Sequence, residues 1–177
     1  MSNKPIDGMH RFGVKIPMVG ESGDLRRFVP AFHRLIQKQA VADHLLIDVA
    51  DYHHVPDGPV ALLVAHEGNF AIDAGDGGPG LLYTRKQPLD GISVQRVRKV
   101  VEIARGVCGT LESDAELAVR FDAGRFLLRS YDRLLLPNDS ESAQALLAAA
   151  REAFPTASVE RTANDPRAPL EVVVVQG

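Results

Sequence analysis

Residues 45–65, LLIDVADYHHVPDGPVALLVA, decide how the rest of the chain is read. Two runs rich in β-branched and aromatic residues flank PDGP at 56–59. Proline presets φ at its own position, Asp tolerates turn conformations and Gly takes positive φ, so the four residues make a turn. Residues 45–55 and 60–67 are therefore expected to be the two antiparallel strands of a hairpin. With four connecting residues, opposed positions sum to 115, which sets Asp51 against Val64 and Val49 against His66. Side chains alternate between faces, so Asp51, His53 and His66 share one face. On the other, Asp48 stands opposite Glu67, a like-charge pair that is unfavourable unless a cation, a proton or an arginine such as Arg85 intervenes. A slip of one residue would exchange the faces.

This register gives the first candidate site. Asp51, His53 and His66 form a mixed N/O set of the kind that holds Zn²⁺ or another divalent transition metal. Without a metal, a histidine oriented by Asp51 can serve as a general base, so His53, His66 and Asp51 are also the catalytic candidates. The spacing matches no HExxH or CxxC pattern, and the chain has no GxSxG nucleophile elbow. The plain alternative is that Asp51 accepts hydrogen bonds from a histidine or from loop N–H groups and fixes the turn. His33, in FHRLIQ, flanks the apolar stripe of a helix. Over the sheet it would combine with Tyr52 and His54 into a mixed polar ligand pocket. His10 and His44 read as surface or capping residues.

Outward from the hairpin, RFGVKIP (11–17) reads as a first strand. A helix is expected from about 25 or 29 to 41, with Phe28, Phe32, Leu35, Ile36 and Ala40 at helical spacing. Pro30 fits within its first turn, where the missing N–H is harmless. NFAIDA and GLLYTR form a second hairpin closed by GDGGPG (75–80), which lacks the Lys-Ser/Thr of a phosphate loop. Ser93 is a plausible N-cap for a long helix with Val94, Val97, Val101, Ala104, Cys108 and Leu111 as its apolar stripe. ELAVRF (116–121) and RFLLRSY (125–131) bracket DAG as a third hairpin. Asp139 or Ser140 caps the helix AQALLAAAREAF, and SVERT and LEVVVV are the last strands. LEVVVV is apolar on both parities, which predicts a strand covered on both faces. The pattern is α+β: one layered domain over 1–177, a mainly antiparallel sheet with about three helices packed on one face, preceded by a flexible tail at 1–10.

Composition sets limits. The chain has 177 residues, 45% hydrophobic and 24% charged, with a net charge of −3. These values fit a globular domain and give no electrostatic reason for a nucleic-acid or anionic-membrane partner. RVRK at 96–99 lies on a helix and reads as a solvated face. The single cysteine excludes an internal disulfide and suits a reducing cytoplasm. No run approaches the ~18 apolar residues of a membrane span, and the N-terminus has no apolar signal segment.

The strings FVPAFHRLIQ, LLIDVADYHHVPDGP, AHE, GLLYTRK and RLLLPND make the chain resemble a family of conserved bacterial, including cyanobacterial, proteins of unknown function. The resemblance spans about 28–175 and implies a single soluble bacterial domain, without an implied activity or cofactor. Three functional readings follow. One is binding of a small ligand or a protein partner through the sheet face or its loops. Another is a hydrolase centred on the 48–67 hairpin. The last is a structural homo-oligomer paired through an edge strand such as LEVVVV.

Overall fold

A computed structural model describes residues 5–56, 58–75 and 77–177. All strand pairings are antiparallel and make one eight-stranded sheet in the order β2-β3-β4-β5-β1-β6-β8-β7. The strands are β1 (Phe12–Pro17), β2 (Leu46–Asp51), β3 (Pro59–Ala65), β4 (Gly68–Asp73), β5 (Gly80–Arg85), β6 (Arg125–Ser130), β7 (Ser158–Arg161) and β8 (Glu171–Val175). Three helices, α1 (Phe28–Lys38), α2 (Ser93–Glu112) and α3 (Ser140–Ala153), pack on this sheet, so the α+β class holds. No helix among the described residues is long and apolar enough to cross a membrane.

The helices form where the apolar spacing and caps place them. α1 buries Phe28, Ala31, Phe32 and Leu35, carries Pro30 in its first turn, and ends where Gln39 turns left-handed at φ 42°. α2 starts one residue earlier than a Ser93 cap requires. Ile92 takes the N-cap position and its N–H donates to the Gln95 side chain at 3.0 Å, while Ser93 is the first helical residue and is buried. Asp139 caps α3 by accepting the Ser142 N–H at 2.8 Å.

The helix-side face of the sheet is the core. Phe12, Val14, Ile16, Leu63, Phe70 and Leu81 are fully buried there. Burying this much aliphatic and aromatic surface is the main favourable term in folding. α1 lies over β2 and β3, α2 over β1 and β5, and α3 over β7 and β8.

Several expectations are corrected. Residues 5–10 are not a free tail over their described part: Pro5–Gly8 forms a 3-10 turn, and Ile6 and Met9 are buried. Residues 1–4 lie outside the described residues. ELAVRF does not form a strand. The Asp114 carboxylate takes the Glu116 N–H at 3.1 Å, Ala118 sits at φ 46°, and only Phe121 bridges to Met18. The DAG segment therefore joins no hairpin, and β6 pairs with β1 and β8 instead. β8 is covered on one face only, with Val172 and Val174 fully buried and Val173 half-buried. It lies between β6 and β7, so it is not an edge; the edges are β2 and β7.

Candidate functional site

The 45–67 hairpin forms, with a different register. Asp51 stands opposite Ala61, Ala50 opposite Leu62 and Val49 opposite Leu63, with a bulge between Leu46 and Asp48. The sum is 112 where 115 was expected, because the strand stops early. Asp51 Oδ1 accepts the His53 N–H at 3.0 Å and lies 2.7 Å from His53 Nδ1, which closes a turn two residues before the expected strand end. The connection widens to residues 52–58, where the Val55 N–H donates to the Tyr52 carbonyl. Asp57 of PDGP lies outside the described residues. An odd shift exchanges the faces of one strand relative to the other.

The candidate triad is thereby divided. Asp51 and His53 meet in the exposed turn, but His66 sits beyond the far end of β3. Five residues of strand separate Ala61, the partner of Asp51, from His66, about 16 Å at the rise of a β-strand. Among the described residues no group of three or more His, Cys, Asp or Glu could hold a metal ion. Tyr52 and His54 stay together in the turn, their rings 6.5 Å apart, while His33 is exposed on α1, on the side away from the core. The expected opposition of Asp48 and Glu67 is also absent.

Each described carboxylate of the hairpin instead serves free backbone. Asp48 accepts the Val49 N–H at 2.8 Å, and Glu67 accepts the Leu45 N–H at 2.8 Å. The Gln39 amide bonds both the N–H and the C=O of Leu46. Burial pushes the Glu67 carboxyl up, but the Leu45 N–H and nearby imidazoles outweigh it and hold the group below its ordinary range. The two hydrogen bonds from His53 likewise hold Asp51 low. A cluster that reads as acid–base chemistry is thus a set of caps on an edge strand, of the kind that blocks unwanted pairing.

Sequence reasoning missed the histidine that is buried. His44 is 7% exposed, with Nε2 2.8 Å from Tyr83 Oη and Nδ1 2.9 Å from the Ala42 carbonyl. A carbonyl only accepts, so Nδ1 carries the proton and Nε2 accepts the Tyr83 hydroxyl. Arg85 completes the chain. Its guanidinium donates to Tyr83 Oη at 3.4 Å and to the Gln87 and Pro88 carbonyls. Desolvation lowers the His44 pKa and raises that of Tyr83. Tyr83 stacks on Phe70 with ring centroids 4.6 Å apart, so the polar chain is seated in the aromatic core. The HLL context of His44 gave no sign of this; only the pairing of β5 beside β4 could reveal it.

Among the described residues, no helix packs on the opposite face of the sheet. One row of side chains crosses it from edge to edge: Ala50, Leu62, Ala71, Leu82, Lys15, Leu127, Val173 and Glu160 stand successively opposite one another. Eight strands at ~4.8 Å spacing make this row about 34 Å long. Leu62, Leu82, Leu127 and Val173 are half-buried, with no described element above them. The neighbouring row is polar: Asp48, Val64, Asn69, Thr84, Gly13, Arg129 and Glu171. A Cβ on Gly13 would collide with the Tyr131 ring, so glycine lets that ring lie against the strand. Lys15 interrupts the apolar row. It is 4% exposed and turns its ammonium sideways to Asp73 Oδ2 at 2.8 Å and the Gly75 carbonyl at 2.7 Å. Arg129 bonds Glu171 at 2.7 Å in the polar row.

A cleft of about 510 Å³ lies between the Pro5–Gly8 turn and the helices α2 and α3. Its described lining has the carboxylates of Asp139, Glu141 and Glu152 with Ser93 and Ser142, and no His, Lys or Arg among the described residues. Asp139 is occupied as the α3 cap. Compared with known proteins, the chain matches no family model and shows no significant similarity to a curated protein.

Proposed function

We propose that the chain is a partner-binding domain whose helix-free sheet face receives a polypeptide. The observation that carries this is the aliphatic row across that face, half-exposed at Leu62, Leu82, Leu127 and Val173. Contiguous apolar surface rimmed by polar groups marks interaction sites on folded proteins. Its shape favours a polypeptide over a small molecule. Small-ligand sites are concave and run to ~300 Å³ or more. The cavity at Lys15, Pro17, Gly77 and Leu127 on this face holds about 120 Å³. A row about 34 Å long instead matches an extended segment or the flank of a folded partner. The polar row alongside supplies hydrogen-bonding groups that fix direction and register. A bacterial cytoplasmic setting, implied by the resemblance and the lone cysteine, accords with this reading.

The test is site-specific photocrosslinking in cells of the source organism. A benzophenone side chain at Leu82 is expected to yield a discrete adduct that the same group at His33, on the outer side of α1, does not yield. Leu127→Asp should reduce the Leu82 adduct at least fivefold. Equal labelling from both positions, or none from Leu82, refutes the proposal.

A further inference from the structure

Charge is divided across the sheet. Residues 39–84 contain seven Asp and Glu and no Lys or Arg, whereas the remaining 131 residues carry 20 Lys and Arg against 16 Asp and Glu. The acidic run builds β2, β3, β4 and most of β5, one half of the sheet. The outer flank of β2 also exposes apolar side chains. Nine large hydrophobics are exposed among the described residues, and Leu45, Ile47, Tyr52 and Val55 are four of them. Leu45 and Ile47 are 60% and 55% exposed on either side of Leu46, which is buried. Asp48, on the open face opposite Val64, and Asp51, opposite the buried Ala61 on the other face, are both exposed at this edge.

The geometry points to the β2 flank as the docking surface for a cationic protein segment, one that carries Lys or Arg beside aliphatic residues and is held through side chains. The inference rests on the partner-binding reading above and adds the partner's chemistry and where it reaches. The apolar row of the open face ends at Ala50 on β2, so a segment lying on that row arrives at this flank. Strand addition is disfavoured there. Gln39 occupies both backbone groups of Leu46 and Asp48 occupies the Val49 N–H, which leaves little of the edge to pair. Side chains are what the flank offers. A second copy presenting the same flank would set Asp48 and Asp51 against their own mates, which repel. A cationic segment meets complementary charge at the exposed Asp48 and Asp51, and this raises association rate and specificity.

The experiment uses the full chain labelled with ¹⁵N and two fluorescent 14-residue peptides, one alternating lysine with valine and the other glutamate with valine. The lysine peptide is expected to shift the amides of residues 45–52 and to bind at least tenfold more tightly than its glutamate counterpart. Asp48→Asn with Asp51→Asn should remove most of that preference, since Asn keeps the capping acceptor and discards the charge. Leu45→Thr with Ile47→Thr should weaken the lysine peptide about fivefold while preserving β propensity. Equal binding of the two peptides, no binding of either, or shifts centred on the α2–α3 cleft would overturn the inference. So would salt-reversible dimerisation in light scattering that the Asn substitutions abolish, because the occupant would then be a second copy. Should Leu82→Gln and Leu127→Gln abolish peptide binding while the flank substitutions leave it unchanged, the open-face reading stands and the flank inference fails.

Discussion

His44 shows what a single side chain can hide. It is buried between Phe70 and Tyr83, with centroid distances of 5.4 and 5.5 Å, and its neutral form satisfies both neighbours. Protonation would put a second donor against the Tyr83 hydroxyl and a charge into the core, so burial lowers its pKa. The sign follows from linkage. A histidine whose folded pKa lies below its unfolded value near 6.5 contributes stability that is complete above that value. The contribution is lost as the pH falls through the lowered folded value. His44→Phe removes the titration and leaves the Tyr83 hydroxyl with Arg85 alone. It should cost about 1–3 kcal/mol at pH 8. Urea midpoints measured from pH 8 to 5 should fall less steeply for the variant than for the parent. An identical slope for both would show that His44 titrates alike in the folded and unfolded chain, so that burial does not lower its pKa. The neighbouring histidines teach the converse. His53 and His66 drew attention by residue type, yet one caps a turn with Asp51 and the other lies past the end of β3.

Lys15 links β1 to β4 and to the 75–80 loop, and the sheet decides how its charge is held. The expected first strand at 11–17 matches β1 at Phe12–Pro17, and α1 begins where Pro30 falls in its first turn. Hairpin existence was also legible, because PDGP and GDGGPG bound apolar runs of strand length. Register was not legible: the sequence offered Asp51 as an acceptor for loop N–H groups, but no periodicity encodes that the His53 N–H bonds it and ends β2 early. Strand order was equally silent. β1 sits at the centre of the sheet only because β5 and β6, both distant in sequence, close on it. The lysine in the row between Leu82 and Leu127 follows from this order, since the end of β4 and the loop after it bring Asp73 and Gly75 to it. Removing one partner of a buried pair withdraws part of what offsets the other charge, whereas replacing the charge with an apolar group of similar length is tolerated. Asp73→Ala should therefore cost about 2–4 kcal/mol, and Lys15→Met, which extends the row from Leu82 to Leu127, less than about 1 kcal/mol. Chemical denaturation of the two variants distinguishes them. A larger loss for Lys15→Met would mean that the ammonium stabilises the 75–80 loop more than its burial opposes folding.

At the scale of the whole molecule, the net charge of −3 conceals its arrangement. The composition alone gave no reason to propose a nucleic-acid or anionic-membrane partner, and that holds for the chain taken as one number. The fold gives the number a position, because residues 39–84 are contiguous in sequence and also form one half of the sheet. A surface reads local potential over about a Debye length, roughly 8–10 Å at physiological salt, and not the total. Two variants with the same net change separate these views. Asp48→Asn with Asp51→Asn lightens the acidic half, and Glu102→Gln with Glu160→Gln removes the same charge from α2 and β7 in the other part of the chain. On an anion-exchange resin at low salt, the first pair should elute well before the second, because the resin engages the β2–β4 half. Coincident elution would mean that total charge governs the surface, and the electrostatic case for a cationic partner at β2 would lose its basis.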